Sequence, residues 1–250
     1  MLTKKKQRQY LYEKEQQWLN ELTIFGETQD ENALHRLRLG IKKIRALVRL
    51  TEGVRGKRLS GDLRPLKKMF RQAGMIRDTR SQLRLLEQHQ LLSPDHRELR
   101  VLQLKEAADK FCRCVTDYRK EGRKAARLLL ADVEAIHGRA IRRWFAGEII
   151  QAGVLLTKSG DELHLARKKI KTLLYVQKML PEKQVHQLRL DTDYLDQIQD
   201  AIGSWHDCVV AAAGRPDQGD AGESQMIQEC RAKEQIIRVL ADDFHRKVHR

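Results

Sequence analysis

Proline is scarce in this chain of 250 residues, with four in all, and aromatic residues make up only 5%. Alternating runs of β-branched residues, the mark of half-buried strands, are absent. No apolar run approaches the ~18–20 residues of a membrane span, and no secretory hydrophobic segment follows MLTKKKQRQY. The four cysteines, Cys112, Cys114, Cys208 and Cys230, contain no CxxC pair, and Cys112 and Cys114 point to different sides of a helix. Structural thiols in a reducing cytoplasm are the expectation. There is also no Gly-rich phosphate loop, no GxSxG and no HExxH. A Mg²⁺ phosphotransferase would need carboxylates to hold its metal, and no convincing pair of them lies on a strand. The sequence therefore predicts a binding module that does no chemistry and carries no cofactor.

What is present favours helices. Hydrophobic residues make up 41% of the chain, too many for disorder. Leu, Arg, Lys, Gln, Glu and Ala dominate, and these are strong helix formers. The fold class expected is all-α. The formal net charge is +15, which points to an anionic partner. The excess is uneven: residues 1–150 hold 34 basic and 19 acidic residues, whereas residues 151–250 hold 15 of each.

Periodicity and stop signals predict helices over 3–22, with Leu11, Trp18 and Leu22 on one side, and over 31–51, ended by GVRGKRLSGD. A third helix over 62–73 is expected to stop at Gly74, and a fourth to start near Asp78. Ser93 and Pro94 open a long fifth, with a break near Gly122. Later helices are expected over 161–180, 182–202 and, briefly, after Gly203. GRPDQGDAGES (214–224) reads as a flexible loop before a last helix over 225–248. Asp78 and Asp207, after Gly74 and Gly203, read as helix N-caps following Gly stops.

Two segments match at an offset of 129 residues: LHRLRLGIKKIRALVRL (34–50) over LHLARKKIKTLLYVQKM (163–179). His35 falls on His164, Arg38 on Arg167, Lys42 on Lys171 and Arg49 on Lys178. The same offset carries Gly74 onto Gly203 and Asp78 onto Asp207. An internal duplication is the economical reading, with repeats of about 1–125 and 126–250. Two pseudo-symmetric four-helix halves follow from it.

On a helical wheel, Leu34, Leu37, Ile41, Ile44 and Val48 fill an arc from about 280° to 360°. His35, Arg38, Lys42, Arg45 and Arg49 fill the next, about 20° to 100°, and Leu39, Ala46 and Leu50 lie beyond them near 120° to 160°. The cations are thus bordered by apolar residues on both sides, whereas Arg36 and Lys43 fall on the far side as ordinary solvated charges. Unpaired cations cannot face a dry core, so a wet basic channel between helices is expected. The stripe runs on the order of 21 Å, which suits a long, repeating polyanion. The second copy keeps His164, Arg167, Lys171 and Lys178, puts Leu174 where the first has Arg45, and adds Lys168 at the flank and a solvated Lys169. Facing stripes would line one central basic pore.

The doubled pattern, LHRLRLGIKKIR then AGMIRD, and LHLARKKIKTLLY then IGSWHD, resembles the CHAD domain, the conserved histidine α-helical domain. The resemblance covers nearly the whole chain as a single domain over 1–250. It implies a helical bundle in two similar four-helix halves around a basic pore that binds inorganic polyphosphate, and association with polyphosphate granules. The pore residues it implies are His35, Arg38, Lys42, Arg45, Arg49, His164, Arg167, Lys171 and Lys178, with Lys168 beside them. Leu174 and His206, where the first copy has Arg45 and Arg77, depart from the pattern. EKEQQ (13–17) lacks the Lys of an ExExK strand and sits in a helical pattern, so a stand-alone domain without a triphosphate-tunnel (CYTH) domain is expected.

Three rivals follow from the same residues. A nucleic-acid binder fits the charge, but few aromatics are available to stack bases. An enzyme or regulator of polyphosphate metabolism lacks motif support. A metal site at the recurring His and Asp is opposed by the Arg and Lys that share each histidine's helix face. Arg123, Lys124, Arg127, Arg142 and Arg143 lie outside the matched helices and read mostly as solvated.

Overall fold

Thr3, Asp30 and Ser93 each accept a backbone N–H from the first turn of the helix that follows them. The donors are Lys6 at 3.2 Å, Ala33 at 2.8 Å and His96 at 3.4 Å. Such caps satisfy amides that the helix itself leaves unpaired. The structure, a computed structural model, describes residues 1–59, 63–88, 93–213 and 220–249. Those residues form eleven helices and no strand, with two isolated β-bridges. None of the helices is long and apolar enough to cross a membrane.

The chain divides into two units, Leu2–Ile136 and, beyond it, His137–Arg250. The first unit contains α1 (Lys4–Thr28), α2 (Glu31–Arg55), α3 (Arg64–Gln88), α4 (Pro94–Arg113) and α5 (Val115–Asp132). Gln29, in the left-handed region at φ 53°, turns α1 back onto α2. Their seam buries Trp18, Leu22 and Phe25 against Leu34, Leu37, Ile41 and Ile44, each at most 1% exposed. Phe111 and Tyr118 close the core from α4 and α5, Phe111 meeting Phe25 edge-on at 5.3 Å. Leu2 and Ile136 exchange both backbone hydrogen bonds, at 2.8 and 2.9 Å, tying the ends of this unit together.

The second unit contains α6 (Gly138–Leu156), α7 (Asp161–Gln177), α8 (Glu182–Leu188), α9 (Thr192–Ala213), α10 (Asp220–Ala241) and α11 (Phe244–Lys247). α7 packs between α6 and α9. Phe145 and Ile149 of α6, Ile170 and Leu173 of α7, and Leu195, Ile198 and Ile202 of α9 are buried in its core.

Several boundaries differ from those the sequence predicts. α3 runs unbroken through Gly74 and Asp78, and α9 through Gly203 and Asp207. Neither glycine stops a helix and neither aspartate caps one; the glycines instead leave room for an arginine, as described below. The expected break at Gly122 falls at Cys114 (φ −93°, ψ 0°), between α4 and α5. Gly122 lies inside α5, where an added Cβ would come 2.5 Å from the ring of Trp18. The expected helix over 182–202 is two, parted at Arg189 with φ 49°. These divisions give units of five and six helices among the described residues rather than four. Of the expected loop 214–224, residues 214–219 lie outside the described residues and 220–224 belong to α10. Residues 60–62 of the expected break after α2 lie outside them as well. Residues 13–17 are helical, within α1.

Candidate functional site

α2 carries its basic row as the wheel predicts. Leu34, Leu37, Ile41, Ile44 and Val48 are buried on one side, Ala46 and Leu50 on the other, with Leu39 half-buried. Between these rows the cations differ in depth. His35 and Arg49, at the two ends, are exposed; Lys42 and Arg45 are half-buried; Arg38 is only 8% exposed.

Arg38 is held by α3. Its Nη1 donates to the Phe70 carbonyl at 2.7 Å, and its guanidinium carbon lies 4.2 Å from the centroid of the Phe70 ring. A Cβ on residue 74 would fall 2.5 Å from Nη1, so any larger residue there would have to move the guanidinium. Burial pushes the Arg38 pKa down to about 10, with Arg77 adding to the fall and Asp78 opposing it. Arg38 therefore stays charged at neutral pH. Its Nε is buried without a hydrogen-bond partner. The guanidinium carbon of Arg45 lies 5.1 Å from the same Phe70 ring, and burial followed by the charge of Arg49 lowers its pKa. One aromatic ring on α3 thus touches two cations of the row, a contact that favours Arg over Lys.

The arrangement recurs in the second unit. Arg167 Nε donates to the Gln199 carbonyl of α9 at 2.8 Å, and a Cβ on residue 203 would fall 2.6 Å from Arg167 Nη2. Phe70 to Gln199 and Gly74 to Gly203 are again steps of 129 residues. Two features differ. Leu174 is buried where α2 has Arg45, and His164 stacks on His206 with ring centroids 4.4 Å apart. Burial first, then the charge of Lys168, with His206 and Arg167, lowers the His164 pKa to about 4. Its Nδ1 is buried without a hydrogen-bond partner. The imidazole is neutral at neutral pH, so the row on α7 begins uncharged at its histidine. Lys171 is half-buried, and Lys168 and Lys178 are exposed.

A family model of the CHAD domain matches residues 6–214. The chain belongs to the CHAD domain family. The match runs from within α1 to the end of α9, and so includes both basic rows and the two helices, α3 and α9, that pack on them. A search of curated proteins finds no match to the chain.

Around the two rows, ion pairs take up some of the charges that lie off them. Arg36 pairs with Glu21 at 2.9 Å while remaining half-exposed. Lys43, expected to be solvated, is half-buried. Lys169, for which the same was expected, is three-quarters buried and pairs with Glu148 at 2.9 Å. Arg123 and Arg127 are exposed and lie near the buried Glu15, partly offsetting the rise that burial gives its pKa. Among the described residues no group of three or more His, Cys, Asp or Glu is arranged to hold a metal. That Phe70 meets the row was hidden in the sequence, because one Phe in a basic helix carries no contact information. The same holds for Arg64, Lys67, Lys68 and Arg71 of α3, which line a groove of about 560 Å³ with Tyr118 and Glu121 of α5.

Proposed function

We propose that this CHAD protein binds inorganic polyphosphate along the basic row of α2, with the row of α7 as a weaker contact, and does not turn it over. The observation that carries the proposal is a line of cations set between two buried apolar rows, where a solvated charge face would lie opposite them. Half-buried Lys42 and Arg45 and the exposed His35 and Arg49 supply N–H donors. Charge-assisted bonds from such groups to phosphate oxygens are roughly twice as strong as neutral ones. Arg38 and Arg167, bonded to main-chain carbonyls, would set the helix pairs and the local field rather than reach far for phosphate. The expectation of a duplicated unit lining a basic pore, and of association with polyphosphate granules, belongs to the same proposal.

Titration of the purified chain with long-chain polyphosphate at several salt concentrations tests it. Binding that weakens steeply with salt, through counterion release, is the expected result. Salt-insensitive or absent binding overturns it. Displacement of polyphosphate by DNA or RNA at equal phosphate concentration would favour a nucleic-acid partner instead. Release of phosphate in Mg²⁺ or Mn²⁺ that vanishes on mutating the row would make the protein an enzyme.

A further inference from the structure

Cys208 of α9 and Cys230 of α10 come together in the second unit, their Sγ atoms 2.6 Å apart. Both are thiols, Cys208 buried and Cys230 half-buried. A disulfide has sulfurs about 2.05 Å apart, so closing this pair asks for a side-chain adjustment of about half an ångström. Cys112 and Cys114 sit in the other unit, where Cys112 Sγ lies 3.9 Å from the Phe25 carbonyl. The step of 129 residues puts Thr79 and Val101 where Cys208 and Cys230 stand, so the pair belongs to the second unit alone.

We propose that Cys208 and Cys230 are a redox-active dithiol, closed to an intrachain disulfide between α9 and α10 by exchange with a low-molecular-weight disulfide such as oxidised glutathione. Cys230 is the point of entry, because it is the more accessible sulfur. Its thiolate attacks one sulfur of the small disulfide and expels one thiol. Cys208 then yields its proton and attacks Cys230 Sγ in the mixed disulfide, expelling the second. Two protein thiols are oxidised and one small disulfide is reduced to two thiols, so electrons and protons balance. Burial, then the neighbouring Cys230, pushes the Cys208 thiol of the dithiol up to about 12. Lys233, bonded to Glu229 at 2.8 Å, lies near Cys208, where its positive charge opposes the rise that burial, Cys230 and Glu229 give the thiol. The bridge would enclose the whole connection between the two helices. α9 also carries Gly203 and His206 against α7, so the bridge acts on the helix that backs the second basic row.

The test treats the reduced full-length chain with rising ratios of oxidised to reduced glutathione, followed by alkylation and non-reducing peptide mapping. The expected product joins the Cys208 and Cys230 peptides with a mass deficit of two hydrogens, while Cys112 and Cys114 are recovered alkylated. Tm should rise by several degrees on oxidation, and amides of α9 and α10 should exchange more slowly. Neither change should occur in Cys230→Ser, whereas both should persist in the double variant Cys112→Ser, Cys114→Ser. A glutathione adduct that remains on Cys230 without a bridge overturns the proposal. So do cross-links that include Cys112 or Cys114 in equal yield, or four intact thiols at a ratio that oxidises dithiothreitol. All these readouts are independent of polyphosphate.

Discussion

The rings of His164 and His206 stack at 4.4 Å with their planes 22° apart. The pKa of His164, lowered to about 4 by burial ahead of Lys168 and His206, leaves it neutral in the folded chain. In the unfolded chain an imidazole protonates near 6.5, so on acidification the unfolded form takes up the proton first. Stability should therefore fall between about pH 6.5 and pH 4 and be unaffected by this group above that window. His164→Gln should flatten that part of the profile, as read from urea midpoints above and inside the window.

The same ring reports on the ligand. A polyanion lying along α7 would favour the imidazolium, so NMR titration should move the His164 pKa upward when long-chain polyphosphate is added. An unchanged His164 pKa in saturated protein would confine the polymer to α2.

On α2, Arg45→Glu with Arg49→Glu should weaken polyphosphate binding roughly tenfold or more. The salt slope should shrink by about 0.7 for each phosphate no longer neutralised, while Arg36→Gln, off the row, stays within about twofold. Affinities at three or more salt concentrations check this. Equal weakening by Arg36→Gln would mean that net charge, and not the row, holds the polymer.

Gly74→Ala sets two effects against each other. Alanine gains about 1 kcal/mol in helix propensity, but the displaced Arg38 loses a charged, buried hydrogen bond of about 1.5–3 kcal/mol. The net expectation is a loss of about 1 kcal/mol by urea denaturation. In an Arg38→Ala background the same change should become stabilising, since only the propensity gain is left.

Gly122→Ala has no such escape. Its Cβ would strike the Trp18 ring, which is fully buried. A loss of about 1–3 kcal/mol is expected, typical of overpacking. Circular dichroism against urea would measure it.

The helical class and the basic row were legible because both are local: helix formers and a period of 3.6 declare themselves within one segment. Contacts between segments were not. Gly74, Gly203 and Gly122 look like helix stops when read along the chain, yet each makes room for a side chain from another helix, Arg38, Arg167 or Trp18. Arg38 and Arg49 look alike on the wheel, but only the packing of α3 tells the buried one from the exposed one. Cys208 and Cys230 are 22 residues apart, and nothing in their spacing joins them. Lys169 read as solvated because its partner, Glu148, lies on the preceding helix.

The seating of Arg38 on Gly74, and of Arg167 on Gly203, bears on how such a chain can change over generations. A side chain at 74 displaces the arginine, and a shortened residue at 38 leaves a bare strip of α3. Neither position can change alone without a penalty, while Arg45 against Leu174 and Arg77 against His206 differ at the same offset. The pairs act as anchors of register. Around them the cations on α2 and α7 that make no such seat can change with less effect on how α2 meets α3 and α7 meets α9.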